Sequence, residues 1–149
     1  MTEHPELPEL LTFFIEGTPI PQGSKTAIRH GLRARLIEAN KRLKPWRNTL
    51  QTALAAQAAG RRIEGPFTIY LDFRFSPPQR PRYRDANGKG IHAVKPDADK
   101  LTRAVLDSLT AADIIDDDAR CTTIIATKNY TDKLHPNPGV RIIITPLND

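Results

Sequence analysis

One cysteine in 149 residues leaves no partner for an internal disulfide framework. The four histidines, His4, His30, His92 and His135, are scattered without metal-ligand spacing, so no structural zinc site is expected. Long apolar runs are missing as well. The opening MTEHPELPELLTFF is acidic and contains proline, which fits neither a secretory signal nor a membrane span, and nothing later is apolar enough to cross a bilayer. A reduced, cytoplasmic setting fits these absences. The chain also lacks a glycine-rich phosphate loop, a G-x-S-x-G turn and any internal repeat.

A hydrophobic fraction of 39% in a chain of this length supports one domain with a real core, spanning 1–149, with a frayed tail over 1–10. The formal charge is +5 and the pI is near 9.6, which favours nucleic acid as a partner. Against that basic background the acids are unevenly placed. Between Lys95 and Cys121, in KPDADKLTRAVLDSLTAADIIDDDARC, Asp97 and Asp99 precede an amphipathic segment and Asp116, Asp117 and Asp118 follow it. Carboxylates gathered this closely repel one another, and a hard cation such as Mg²⁺ relieves the repulsion, an arrangement that phosphodiester hydrolysis uses.

The segment between the two acid groups predicts a helix from about Asp99 to Thr110. At helical spacing Leu101, Ala104, Val105, Leu106 and Leu109 share one side, with Asp99, Lys100, Arg103 and Asp107 on the other. A plainer reading is available. Asp97 or Asp99 can cap the helix, and Asp99, Arg103 and Asp107 have the spacing of an ion-pair ladder. Capping does not account for the Asp116 to Asp118 run at the entrance to a strand.

Strands are predicted at Thr12–Glu16, at Pro66–Phe75, and at Cys121–Tyr130 and Gly139–Pro146, with an antiparallel pairing plausible for the last two. Pro66–Phe75 alternates most cleanly, with Phe67, Ile69, Leu71, Phe73 and Phe75 on one face. A further helix is expected to begin at Pro45, run through Trp46, Leu50, Leu54 and Ala58, and stop at Gly60. The segment Gly17 to Leu36 reads as a loop whose Lys25, Arg29, His30, Arg33 and Arg35 are either solvated or phosphate-contacting. Ser76 to Pro96 reads as a long loop carrying Arg80, Arg82, Arg84, Lys89 and Lys95, with Tyr83 placed to stack on a base. Its run into Asp97 favours substrate binding over a purely solvated role. Lys128, on the strand after the acid run, either approaches the site or faces outward.

The run KPDADKLTRAVLDSL, the turn DDDARC and a β-branched strand ending in lysine together resemble the RusA family of Holliday-junction resolvases, often carried by phages and prophages. The opening FFIEGTPIPQGSK is similar to that family's first strand and basic loop. The resemblance implies a mixed α+β fold with a sheet of about four strands and two main helices, a homodimer, and Mg²⁺-dependent cleavage of four-way DNA, with Mn²⁺ as a substitute metal. It places the metal-binding acids on Asp97, Asp99 and Asp118, with Asp117 as neighbour, and the helix lysine of the family on Arg103. Arginine there keeps the charge and can fork onto a phosphate, but it does not readily lose a proton. Lys25, Arg80, Arg82, Arg84, Lys95, Lys100 and Lys128 are the expected DNA contacts. Two alternatives stay open: a nuclease for other branched or single-stranded DNA, and a non-catalytic DNA-binding protein whose acids only cap and pair. An enzyme calls for Asp97, Asp99 and Asp118 within about 5 Å of one another, close enough to share a cation ligated at about 2.0–2.6 Å.

Overall fold

Period-two alternation builds one layer and helical periodicity the other. The structure, a computed structural model, describes residues 9–23 and 30–147, with side chains of 30–40 outside the description. Lys25, Arg29 and most of the 1–10 tail therefore lie outside the described residues, as do the side chains of His30, Arg33 and Arg35. Strand β1 (Leu11–Glu16) buries Leu11, Phe13 and Ile15, and β2 (Phe67–Phe75) buries Phe67, Ile69, Leu71, Phe73 and Phe75. After β2 come two short strands, β3 (Tyr83–Arg84) and β4 (Gly90–Ile91), then β5 (Cys121–Tyr130) and β6 (Gly139–Pro146).

The main sheet has the order β1-β6-β2-β5, with β6 antiparallel to both neighbours and β5 parallel to β2. Two helices, α1 (His30–Ala58) and α2 (Ala98–Ala111), complete an α+β fold with a mixed four-stranded sheet. The core joins Trp46, Leu50, Leu54 and Ala58 of α1 and Leu101, Ala104, Val105 and Leu109 of α2 to the sheet's apolar face. Each fully buried leucine or valine contributes about 1.5–3 kcal/mol. That packing fixes the rotation of α2, so its polar side is held toward the edge near β5.

Three expectations need correction. β5 does not pair with β6: the α2 crossover returns the chain parallel to β2, and β6 inserts between β1 and β2. Helix α1 starts at His30 rather than Pro45, so His30 to Leu36 is helical and Pro45 sits inside the helix. A proline there removes one hydrogen bond to the preceding turn, but the strong helix formers before it, among them Arg42 and Leu43, continue the pattern. Ser76 to Pro96 is not without structure. Tyr83 pairs with Ile91 and Arg84 with Gly90, across a turn in which Asp85 accepts hydrogen bonds from the backbone of Asn87 and Lys89.

The chain leaving β1 turns at Gly17, whose φ of 139° and close approach to the Trp46 ring, 2.9 Å from an added Cβ, exclude a side chain. Beyond it, Gln22 N–H donates to the Lys100 carbonyl at 3.0 Å, which lays the Thr18 to Gln22 segment beside α2.

Candidate active site

Helix α2 opens at Asp97, which has extended N-cap geometry but whose carboxylate makes no capping hydrogen bond. Among the described residues that carboxylate pairs with Lys100, at 3.7 Å. The segment entering the helix is held from β5: Lys128 Nζ donates to the carbonyls of Val94 at 2.6 Å and Pro96 at 2.8 Å. Its ammonium is thus turned onto the protein's own backbone. Lys128 therefore ties β5 to the segment that leads into Asp97 and Asp99.

One turn into α2 the plainer reading of the acids weakens. The side chains of Asp99 and Arg103 make no hydrogen bond or ion pair with described residues, so the ion-pair ladder does not form. Asp107 instead accepts from Gln22 Nε2 at 2.6 Å. Asp99, Arg103 and Lys100 line a cavity of about 520 Å³ together with Gln22, Asp118 and the β5 residues Ile124 and Ala126.

The three acids after α2 have three different surroundings. Asp116 accepts from Arg62 at 2.6 Å and from Gly65 N–H at 3.1 Å. Those two bonds hold its carboxyl below the ordinary range, the backbone contact contributing most. It pins the turn to the segment before β2. Asp117 caps the short 3₁₀ turn Asp118–Arg120 by accepting from Ala119 N–H at 2.8 Å, and this bond lowers its pKa. Asp118 reaches the cavity. A hydrogen bond with Asp117, partial burial, and the charges of Asp117 and Asp107 all push its pKa up. Crowded acids of this kind are relieved by a cation.

Hard oxygen donors on one cavity, Asp99 without a side-chain partner among the described residues and Asp118 hydrogen-bonded to its neighbour Asp117, suit Mg²⁺ in chemical type. The spacing is looser than the sequence reading required. Among the described residues no group of three or more His, Cys, Asp or Glu side chains is close enough to hold a metal. Asp99 and Asp118 share the cavity, whereas Asp97 lines an adjoining one beyond Lys100. Asp99 and Asp118 are thus the donors that share one cavity, with Asp97 set apart and Asp117 occupied as a cap.

The site now has its chemistry: two carboxylates, one guanidinium unpaired among the described residues, and a basic approach. The family model for endodeoxyribonuclease RusA matches residues 16–145. The chain belongs to the RusA family. No curated protein matches it. The family assignment makes it an enzyme of the endodeoxyribonuclease class, one that acts on DNA phosphodiesters. No helix among the described residues is long and apolar enough to cross a membrane.

Within this RusA-family chain the basic residues separate by role. Arg80 has no partner among the described residues, Arg82 lies 5.3 Å over the Tyr83 ring, and Arg84 donates to the Gly88 carbonyl at 2.8 Å. Lys95 lines the adjoining cavity with Arg42 and Lys100. Sequence reasoning missed Gln22, Arg42 and the Arg62–Asp116 pair. Gln22 alone carried a signal, standing in the PIPQGSK stretch that resembles the family's first loop. Arg62 is 54 residues from Asp116, and nothing in either segment announces the contact.

Proposed function

We propose that this RusA-family enzyme resolves Holliday junctions by symmetric, Mg²⁺-dependent hydrolysis of DNA phosphodiesters, working as a homodimer in recombination and repair. What supports the reading most is one observation: Asp99, Arg103 and Asp118 line the same cavity, and the side chains of Asp99 and Arg103 have no partner among the described residues. Asp99 and Asp118 would hold the cation, with Mn²⁺ able to substitute, and Asp97 would join them from the neighbouring cavity. A bound Mg²⁺ polarises the scissile phosphate and lowers the pKa of an attacking water.

The protein's own groups do the rest. Arg103, fully cationic at neutral pH, pairs with the phosphate oxygens on which negative charge builds, and its unpaired state means that no internal ion pair must be broken first. Lys100 lies between the two cavities and screens the carboxylates from an approaching phosphate. Lys128 keeps the helix entrance fixed, so the acids are presented in one orientation. Two strands related by a two-fold axis must be cut, and one site per subunit then calls for a two-fold dimer.

Synthetic four-way, flap, duplex and single-stranded DNAs incubated with the enzyme and Mg²⁺ test this. Paired cuts near the branch of the four-way DNA, with little cutting of duplex, are expected. Preferential cutting of flaps or single strands would replace the junction reading with that of a different structure-selective nuclease, and binding without cutting would leave a DNA-binding protein.

A further inference from the structure

Beside the cavity that holds Asp99 and Asp118 lies a second one of about 410 Å³, divided from the first by Lys100. Its chemistry is different. Pro19, Ile20, Pro21 and Pro96, with the ring of Phe75, give it an apolar floor, and Asp97, ion-paired with Lys100 at 3.7 Å, lines the side toward the first cavity. Pro19 and Phe75 are buried, while the other three are half-buried and open to the hollow. Arg42, from α1, and Lys95 stand exposed at its rim, and neither has a hydrogen bond or ion pair among the described residues.

Exposed cations above an apolar hollow need a ligand that is anionic at one end and flat and apolar at the other. A free phosphate leaves the floor unused, and intact duplex presents no base to it. An unstacked nucleotide supplies both parts, its base against the proline and isoleucine surface and its phosphate against Arg42 and Lys95. The volume lies within the range of about 300–1,000 Å³ typical of small-molecule sites.

We propose that this second cavity receives one nucleotide displaced from the stack beside the scissile phosphate, with Ile20 and the prolines seating the base and Arg42 and Lys95 holding its phosphate. The proposal rests on the DNA-cleaving reading and adds a specificity subsite to it. Because Lys100 borders both cavities, a nucleotide seated in the second brings the adjoining phosphate toward Asp99 and Arg103 in the first. Branch points, where stacking is already broken, would be the easiest places to seat such a nucleotide.

The test uses four-way junctions carrying 2-aminopurine at each position around the branch in turn, bound without Mg²⁺ so that nothing is cut. Its fluorescence rises when the base leaves the stack. With the wild-type protein at saturation one position is expected to brighten. The rise is expected to disappear in Ile20→Glu and to weaken in Arg42→Ala, an exposed site where folding is not at stake. In a parallel Mg²⁺ series, wild-type cleavage is expected to vary on the order of tenfold with the nucleotide at that position, and Ile20→Glu to flatten the variation. No brightening at any position, or an equal rise in both variants, would overturn the subsite. Brightening without any cleavage would leave the subsite standing and defeat the nuclease reading instead.

Discussion

Arg103 carries a charge that no described residue pairs with. If it stabilises phosphate charge in the transition state, Arg103→Lys should keep much of the cleavage rate and Arg103→Ala should lose on the order of 10²-fold or more. Single-turnover rates, read beside melting curves, decide the point. A surface ion pair would be worth only about 0–1 kcal/mol, so wild-type cleavage by Arg103→Ala would end the catalytic assignment. The three adjacent acids give a second contrast. Asp118→Asn should abolish cleavage while leaving junction binding intact or improved, because removing a carboxylate also removes repulsion toward phosphate. Asp116→Asn should still cut but melt earlier, since Asp116 anchors Arg62 and Gly65. Its carboxyl is held low in the fold, so this stabilisation is present above the unfolded value of about 3.9 and fades as pH falls through the lower folded value. Equal melting of Asp116→Asn and wild type at neutral pH would contradict the anchor. The D-x-D and the acid run were legible in the sequence as a group. Which of Asp116 to Asp118 faces the cavity was not, because partners 51 to 54 residues away decide it.

Among the elements, α2 was the most legible, since its apolar spacing determines both its limits and its buried side. Its entrance depends on β5. Lys128→Met leaves the carbonyls of Val94 and Pro96 without a partner, which costs about 1–3 kcal/mol. The expected outcome is a lower melting temperature and slower cleavage with junction affinity little changed; loss of affinity alone would mark Lys128 as a DNA contact instead. The β3–β4 segment offers a test of a different kind. Reversing the charges of Arg80, Arg82 and Arg84 together should weaken binding to every DNA and reduce its salt dependence, because fewer counterions are released. Unaltered affinity and salt slope would mark these residues as solvated only. His92, where the same segment returns to the sheet, lies between Phe75 at 4.6 Å and Tyr130 at 4.8 Å, with its Nδ1 unpartnered among the described residues. Burial, aided by the charge of Lys128, keeps its pKa below the ordinary value. The unfolded chain therefore takes up the proton first, and stability present above about pH 6.5 declines as pH falls below it. His92→Phe should flatten that decline in melting temperature, and an identical slope would show that another group causes it.

For the whole molecule, the sequence indicated class and layer better than order. Strand positions followed from alternation and β-branched content, so most limits agreed to within a residue or two. The order β1-β6-β2-β5 did not follow, because neighbours in the chain suggested a hairpin while the α2 crossover required β5 to lie parallel to β2. Helix α1 was shortened for a related reason, Pro45 being read as a start when its surroundings sustain a longer helix. The central claim is that the cavity of Asp99, Arg103 and Asp118 cuts junctions, once in each subunit of a two-fold dimer. A supercoiled plasmid bearing a cruciform measures this most directly, since paired cuts within one bound complex give linear product and a single cut gives a nicked circle. Wild type with Mg²⁺ is predicted to yield linear DNA, Asp99→Asn no product, and an equal mixture of the two proteins a growing share of nicked circles. Linear product from Asp99→Asn alone, or an intact plasmid after saturation with wild type, would contradict the account.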